Sequence, residues 1–191
     1  MTRAGGRPNN RLQGMRRLAC FGAGESLAWR LRTPDPCVVR RLSLGETVKP
    51  RQIRGLDREQ LWQRLADTWA VGAGYWYPLA EVPRRDVLAF QAPHFEQALV
   101  AGERLHAILA ARGVERAFEL REGGSAYEIR LSDLDPAYTG DEGFWCSDAM
   151  DWVLYASHEN SLAVGGEWLI AGVKSAWPEW KRYVWTAPFF Q

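Results

Sequence analysis

Three stretches of the chain place apolar residues at helical spacing. In LDREQLWQRLADTW, Leu61, Trp62, Leu65 and Trp69 fall on one face, which predicts a helix over residues 57–69. Asp57, with Gln60 three residues on, reads as its capping box. HFEQALVAGERLHAILAARG predicts a longer helix over 94–113, with the stripe Phe95, Leu99, Leu105, Ile108 and Leu109 and with Gly113 as its stop. GEWLIAGVKSAW predicts a third over 166–177, ended by Pro178.

Elsewhere the period is two, or the run is solidly apolar. ERAFELRE and SAYEIRLS alternate around Gly123-Gly124 and predict a half-buried hairpin. In it Phe118 and Leu120 share a face with Tyr127, Ile129 and Leu131, while Glu119, Arg121, Glu128 and Arg130 point outward. Further strands are expected at LAWRLR (27–32), CVVRRL (37–42, reached through the turn TPDP), RDVLAF (85–90), WVLYAS (152–157) and LAVGG (162–166). GAGYWYPL (72–79) reads as a glycine turn into an aromatic strand, and DLDPAYTGDEGFWCSD (133–148) as a long acidic loop. Strands following strands, with helices interspersed, predict an α+β fold: mainly an antiparallel sheet with helices packed on one face. Residues 1–14 carry little apolar surface and are expected to be disordered or foreign to the natural product, with Met15 as an alternative start. Residues 15–191 are expected to form a single α+β domain.

Composition sharpens this picture in one respect. The 191 residues, 47% of them hydrophobic, suffice for a sizeable core, but ten tryptophans is a surplus. Six lie between Trp145 and Trp185, so the last third is the main core or, as the second reading, an aromatic contact surface.

Charge is unevenly distributed. Residues 1–58 hold 13 Lys/Arg against 4 Asp/Glu, whereas residues 131–173 hold no Lys or Arg at all. That second stretch carries Asp133, Asp135, Asp141, Glu142, Asp148, Asp151, Glu159 and Glu167. A one-signed field of this kind steers a basic partner and disfavours nucleic acid, unless the basic first third folds back against it. No apolar run reaches the length of a membrane span, and the N-terminus lacks the apolar stretch of a signal peptide. Cys20, Cys37 and Cys146 are odd in number and far apart, which fits reduced thiols in the cytoplasm better than a disulfide framework.

Candidate chemistry is sparse. Cys146 and His158 could form a nucleophile–base pair oriented by Asp148, Asp151 or Glu159, but acidic surroundings raise a thiol pKa and no oxyanion hole is evident. His158 with Glu159 and Asp151 could ligate a metal, yet no HxH or HxxxH pair exists and the acidic loop lacks the order of a calcium loop. GAGES (22–26) is a lone glycine turn without the pattern of a phosphate loop. No catalytic residue, cofactor or metal is therefore expected. Ser157-His158-Glu159-Asn160 reads first as a hairpin turn whose side chains cap their own backbone, and second as a contact tip.

The blocks YWYPL, AFELRE, EGFW, MDWVLYASHENSLAVGGEWL and WPEW, in that order, resemble small uncharacterised bacterial cytoplasmic proteins of the toxin-immunity type, encoded near secreted toxins. The resemblance spans roughly Tyr75 to Trp185 and implies a binding protein without catalytic residues. The expectation is thus a cytoplasmic domain that binds another protein, such as a basic toxin, through an acidic face of Asp141, Glu142, Asp148, Asp151, His158 and Glu159. The alternative is an enzyme or ligand-binding domain with a pocket walled by Trp145, Trp152, His158 and Trp168. Oligomeric state is left open.

Overall fold

The structure, a computed structural model, describes residues 49–72, 75–82 and 84–186, which belong to one unit, Glu46–Gln191. The expectations for residues 1–14, for the strands 27–32 and 37–42 with their TPDP turn, and for Cys20, Cys37 and GAGES lie outside the described residues.

Among the described residues seven strands form one antiparallel sheet: β1 (Arg51–Gln52), β2 (Val87–Gln91), β3 (Arg116–Arg121), β4 (Ala126–Arg130), β5 (Gly143–Cys146), β6 (Val153–Ala156) and β7 (Ser161–Gly165). Their spatial order is β1-β4-β3-β5-β6-β7-β2, with every neighbouring pair antiparallel. The chain therefore adopts the α+β class expected from its sequence. Among the described residues no helix is long and apolar enough to cross a membrane.

The placement of the helices goes beyond that expectation. Helices α3 (Arg104–Ala110) and α4 (Glu167–Ala176) cover one face, over Phe90, Ala117, Ile129, Trp145, Leu154, Leu162 and Val164. Helix α1 (Gly55–Trp69) covers the opposite face, seating Leu61, Leu65 and Trp69 on Phe144, Cys146, Val153, Tyr155 and Ala163. Helices thus pack on both faces rather than one, because every central strand alternates between two apolar layers.

That double burial explains the strand missed at GFWC. The 133–148 segment is a loop only up to Glu142; Gly143–Cys146 is β5, the central strand, with all four residues buried. A strand wet on neither side shows no alternation, and four residues between turn formers resemble a loop. Trp145 faces α3 and α4, whereas Phe144 and Cys146 face α1.

The β3–β4 register also differs from expectation. Phe118 lies opposite Glu128 and Leu120 opposite Ala126, while Ala117 lies opposite Ile129 and Glu119 opposite Tyr127. A two-residue Gly123-Gly124 turn would have produced the other pairing. Instead the loop has three residues: the amide of Gly124 donates to the Arg121 carbonyl at 2.9 Å, that of Arg121 donates to the Ser125 carbonyl at 2.8 Å, and Gly124 takes φ +88°. One extra loop residue moves the pairing by one, so Phe118 and Leu120 face α1 while Ala117, Tyr127 and Ile129 face the other layer.

Helix boundaries depart in two places. Helix α1 begins at Gly55 with Arg54 at its cap and no side-chain cap, so Asp57 is not the cap; it sits in the first turn, where its charge favours the helix dipole. The expected 94–113 helix is broken. Helix α2 (Ala92–Phe95) runs into a π turn (Glu96–Val100), and α3 resumes only after Glu103, whose φ is 54°. Gly102 lies in that break. Gly113 does act as the stop: its amide donates to Ala110 and that of Val114 to Leu109, a Schellman closure.

The 72–79 segment is not a sheet strand. Gly72 and Tyr75 form one bridge, and Trp76 turns inward, donates through Nε1 to the Trp69 carbonyl at 2.7 Å and meets that ring edge-on. The pair needs Gly165 beneath it, because a Cβ there would stand 2.6 Å from the Trp69 ring and 3.0 Å from Trp76.

Candidate functional site

The six residues proposed from sequence as one face do not form one. Strands β5 and β6 pair Gly143 with Ala156 and Cys146 with Val153. Asp141 and Glu142, which enter β5, therefore lie at the same end as His158 and Glu159, which follow β6. Asp148 and Asp151 occupy the turn at the opposite end, roughly 15 Å away at the rise of a strand.

At that far end the acids serve the turn. The Ser147 hydroxyl and Trp168 Nε1 donate to the two oxygens of Asp151, at 2.5 and 3.0 Å. Asp148 takes Arg64 of α1 at 3.0 Å, with its side chain 80% exposed. Asp133 is matched by Arg130 at 2.9 Å, which holds its carboxyl below the usual range. The acidic stretch is thus partly neutralised by arginines from other elements.

The near end is built differently. Strands β6 and β7 are joined by a tight turn in which Ser157 and Ser161 bond through their hydroxyls at 2.7 Å, and the Glu159 amide donates to Ser157 Oγ at 3.3 Å. Asn160 carries the positive φ, 53°. This is the self-capping turn expected for the segment. From outside, Trp185 Nε1 donates to the Glu159 carbonyl at 3.2 Å, and the Ala92 amide donates to the Asn160 carbonyl at 2.8 Å.

Beneath the turn is Glu142, only 2% exposed. One of its oxygens accepts both the His158 amide, at 3.1 Å, and the His158 ring at Nδ1. Its carboxylate and the Tyr155 hydroxyl are buried together on the same face of the sheet. Burial, and after it the Glu142 carboxylate, push the Tyr155 hydroxyl far up. The hydrogen bond to Glu142 raises the His158 imidazole above its ordinary value, with the charges of Glu142, Glu159 and Glu122 adding to it. His158 Nε2 points to Glu159 at 3.4 Å.

Two tyrosines complete the surroundings. Tyr75 and Tyr138 bracket the imidazole at 6.3 and 6.4 Å between ring centroids. They are exposed, and among the described residues the only other exposed large hydrophobic side chain is Leu56 on α1. Asp141 stands beside them over the β3–β4 loop, 3.0 Å from where a Cβ on Gly123 would lie. No Lys or Arg among the described residues pairs with Asp141, Glu142 or Glu159.

The Trp-walled pocket is not what the chain builds. Trp145 and Trp152 are fully buried in the core, and Trp168 lies at the far end with Asp151. Cys146 is sealed in the α1-facing layer, at the other end of β5 from Glu142, and burial pushes its thiol up to about 12, far from a nucleophile's range. No group of three or more metal-ligating side chains is assembled among the described residues.

Tyr75, Tyr138, Tyr155 and Glu122 were not singled out from sequence. Tyr75, Tyr155 and Glu122 sit inside runs that read as strands, and Tyr138 sits in a run that reads as a loop, so only the fold brings them to His158. Comparison with protein-family models, with curated proteins and with solved structures returned no match.

Proposed function

We propose that this protein works by binding another protein through the patch formed by Tyr75, Tyr138 and His158 with its rim of Asp141 and Glu159. The partner in this reading is a basic toxin, neutralised in the manner of an immunity protein, inside the cytoplasm. The observation that carries it is the pairing of two exposed tyrosines around one histidine, where no Lys or Arg among the described residues answers Asp141 or Glu159. Tyrosine supplies large, stiff contact area at little entropic cost and is enriched where interfaces gain their energy. Unanswered carboxylates speed the approach of a basic surface. The tryptophans Trp69, Trp76, Trp145, Trp152 and Trp177 are core, the first of the two readings of the tryptophan surplus, and leave this face to the tyrosines.

The test is binding to the product of a toxin gene encoded beside this one, at two ionic strengths. Tyr138→Ala should weaken binding by about 2 kcal/mol, roughly thirtyfold. Reversing Asp141 and Glu159 to lysine should slow association, and that loss should shrink in high salt. Unchanged affinity in both variants rejects the patch as the contact surface.

A further inference from the structure

Protein binding alone does not require an acid driven into the interior beneath a histidine. A carboxylate taken out of water must be compensated by hydrogen bonds or a cation, and Glu142 is buried against the Tyr155 hydroxyl, a neutral group that brings no countercharge. Among the described residues His158 is the one basic group on this carboxylate, at its other oxygen. Among the described residues, the charged groups that face this imidazole are carboxylates from three segments: Glu142 ahead of β5, Glu159 in the β6–β7 turn and Glu122 in the β3–β4 loop. The rings of Tyr75 and Tyr138 lie near it from two loops, and Tyr155 of β6 acts on the Glu142 carboxylate beneath it.

We propose that the patch takes a single cationic side chain of its partner, a lysine or arginine, against Glu159 and the tyrosine rings, in exchange for the proton on His158. The inference rests on the binding reading above and specifies what that site recognises and how it is regulated. Protonated His158 holds both carboxylates at once: Nδ1–H donates to Glu142 and Nε2–H faces Glu159. A second cation then has no free acid and meets a like charge. Once Nε2 loses its proton to solvent, Nδ1–H still donates to Glu142, but a lone pair now faces the Glu159 carboxylate. Glu159 is released to the incoming ammonium or guanidinium, with a tyrosine face available for cation–π contact. One cation enters, one proton leaves, and the charge of the site is unchanged.

The consequence is a binding site that strengthens as pH rises through the His158 titration. Because the bond to Glu142 raises that titration above the ordinary imidazole value, the transition falls on the alkaline side of it.

The experiment follows the His158 Cε1 proton by NMR in the full chain across pH, with N-acetyl-argininamide, N-acetyl-lysinamide and the uncharged N-acetyl-citrullinamide as probes. Expected are a downward displacement of the His158 titration by the two cations and none by the uncharged probe. Below the titration point cation affinity should rise roughly tenfold per pH unit, as for one displaced proton. Glu159→Gln should abolish binding. His158→Asn, which cannot be protonated, should bind both cations with no dependence on pH. An unmoved His158 titration at millimolar cation, or pH-independent affinity in the unaltered protein, overturns the exchange. If the probes fail while a toxin partner still binds through Tyr138, this inference falls and the binding reading stands. If the probes bind while no toxin partner does, the exchange stands and the toxin reading falls.

Discussion

Glu142 and Asp148 are six residues apart in the chain, flank the same strand, and have opposite fates. Asp148 is 80% exposed and pairs directly with Arg64 at the solvent-facing surface. Glu142 is 2% exposed and is held by a histidine from the next turn. Both belong to a stretch of sequence without a single Lys or Arg, which reads as one acidic surface. A four-residue strand running between them places one at each end of the sheet. Sequence proximity in a β protein therefore says little about which charges act together; the ladder decides that.

The contrast can be broken in four ways, beginning with the layer that both ends share. Trp152, fully buried just before β6, should cost about 3–5 kcal/mol on truncation to alanine, measured by denaturant unfolding. Losing that much would unsettle both ends at once. A smaller cost on that scale would mean the ring is not core.

Glu142→Ala separates the ends. It removes the acceptor of the His158 amide and ring, and should cost about 1–3 kcal/mol. It should also return the His158 titration toward the ordinary imidazole range. A variant as stable as the parent would place Glu142 outside the framework of the turn.

The third test uses pH. His158 is raised in the folded chain, so the stability it contributes is complete below the unfolded imidazole value, about 6.5, and is lost as pH rises through the folded value. Thermal stability should therefore decline from mildly acidic toward alkaline pH. In His158→Asn that part of the slope should vanish; a parent and variant with parallel slopes would contradict the ion pair.

The smallest effect is expected at the far end. Asp148→Asn should change stability by no more than about 0.5 kcal/mol, since exposed pairs contribute little. A cost matching that of Glu142→Ala would erase the distinction between the two ends.

What could be read from the sequence followed how one-sided each element is. Helix α1 shows its Leu61, Leu65 and Trp69 stripe because its other face is wet, and its end at Trp69 came out as expected. Strand β5 has no wet face, so its four residues carried no period to read. The β3–β4 alternation was plain, but its register hung on whether the loop held two residues or three, which Gly123-Gly124 does not reveal. The patch was half legible. His158, Glu159, Asp141 and Glu142 stood out as polar residues in turns, whereas Tyr75 lies 83 positions before His158. Nothing in local sequence connects the two.

The clasp of Trp185 on the Glu159 carbonyl has a consequence for the order in which the molecule is made. Tyr75, Tyr138, Glu142 and His158 leave the ribosome one after another, but of the two outside contacts on the turn, Ala92 and Trp185, the second emerges after all of them. The backbone at Val184 and Trp185 also pairs with β2, which itself waits for β7 to pair along its other side. A nascent chain stalled short of Trp185 thus carries every side chain of the patch without the latch that sets their geometry. Competence waits for Trp185.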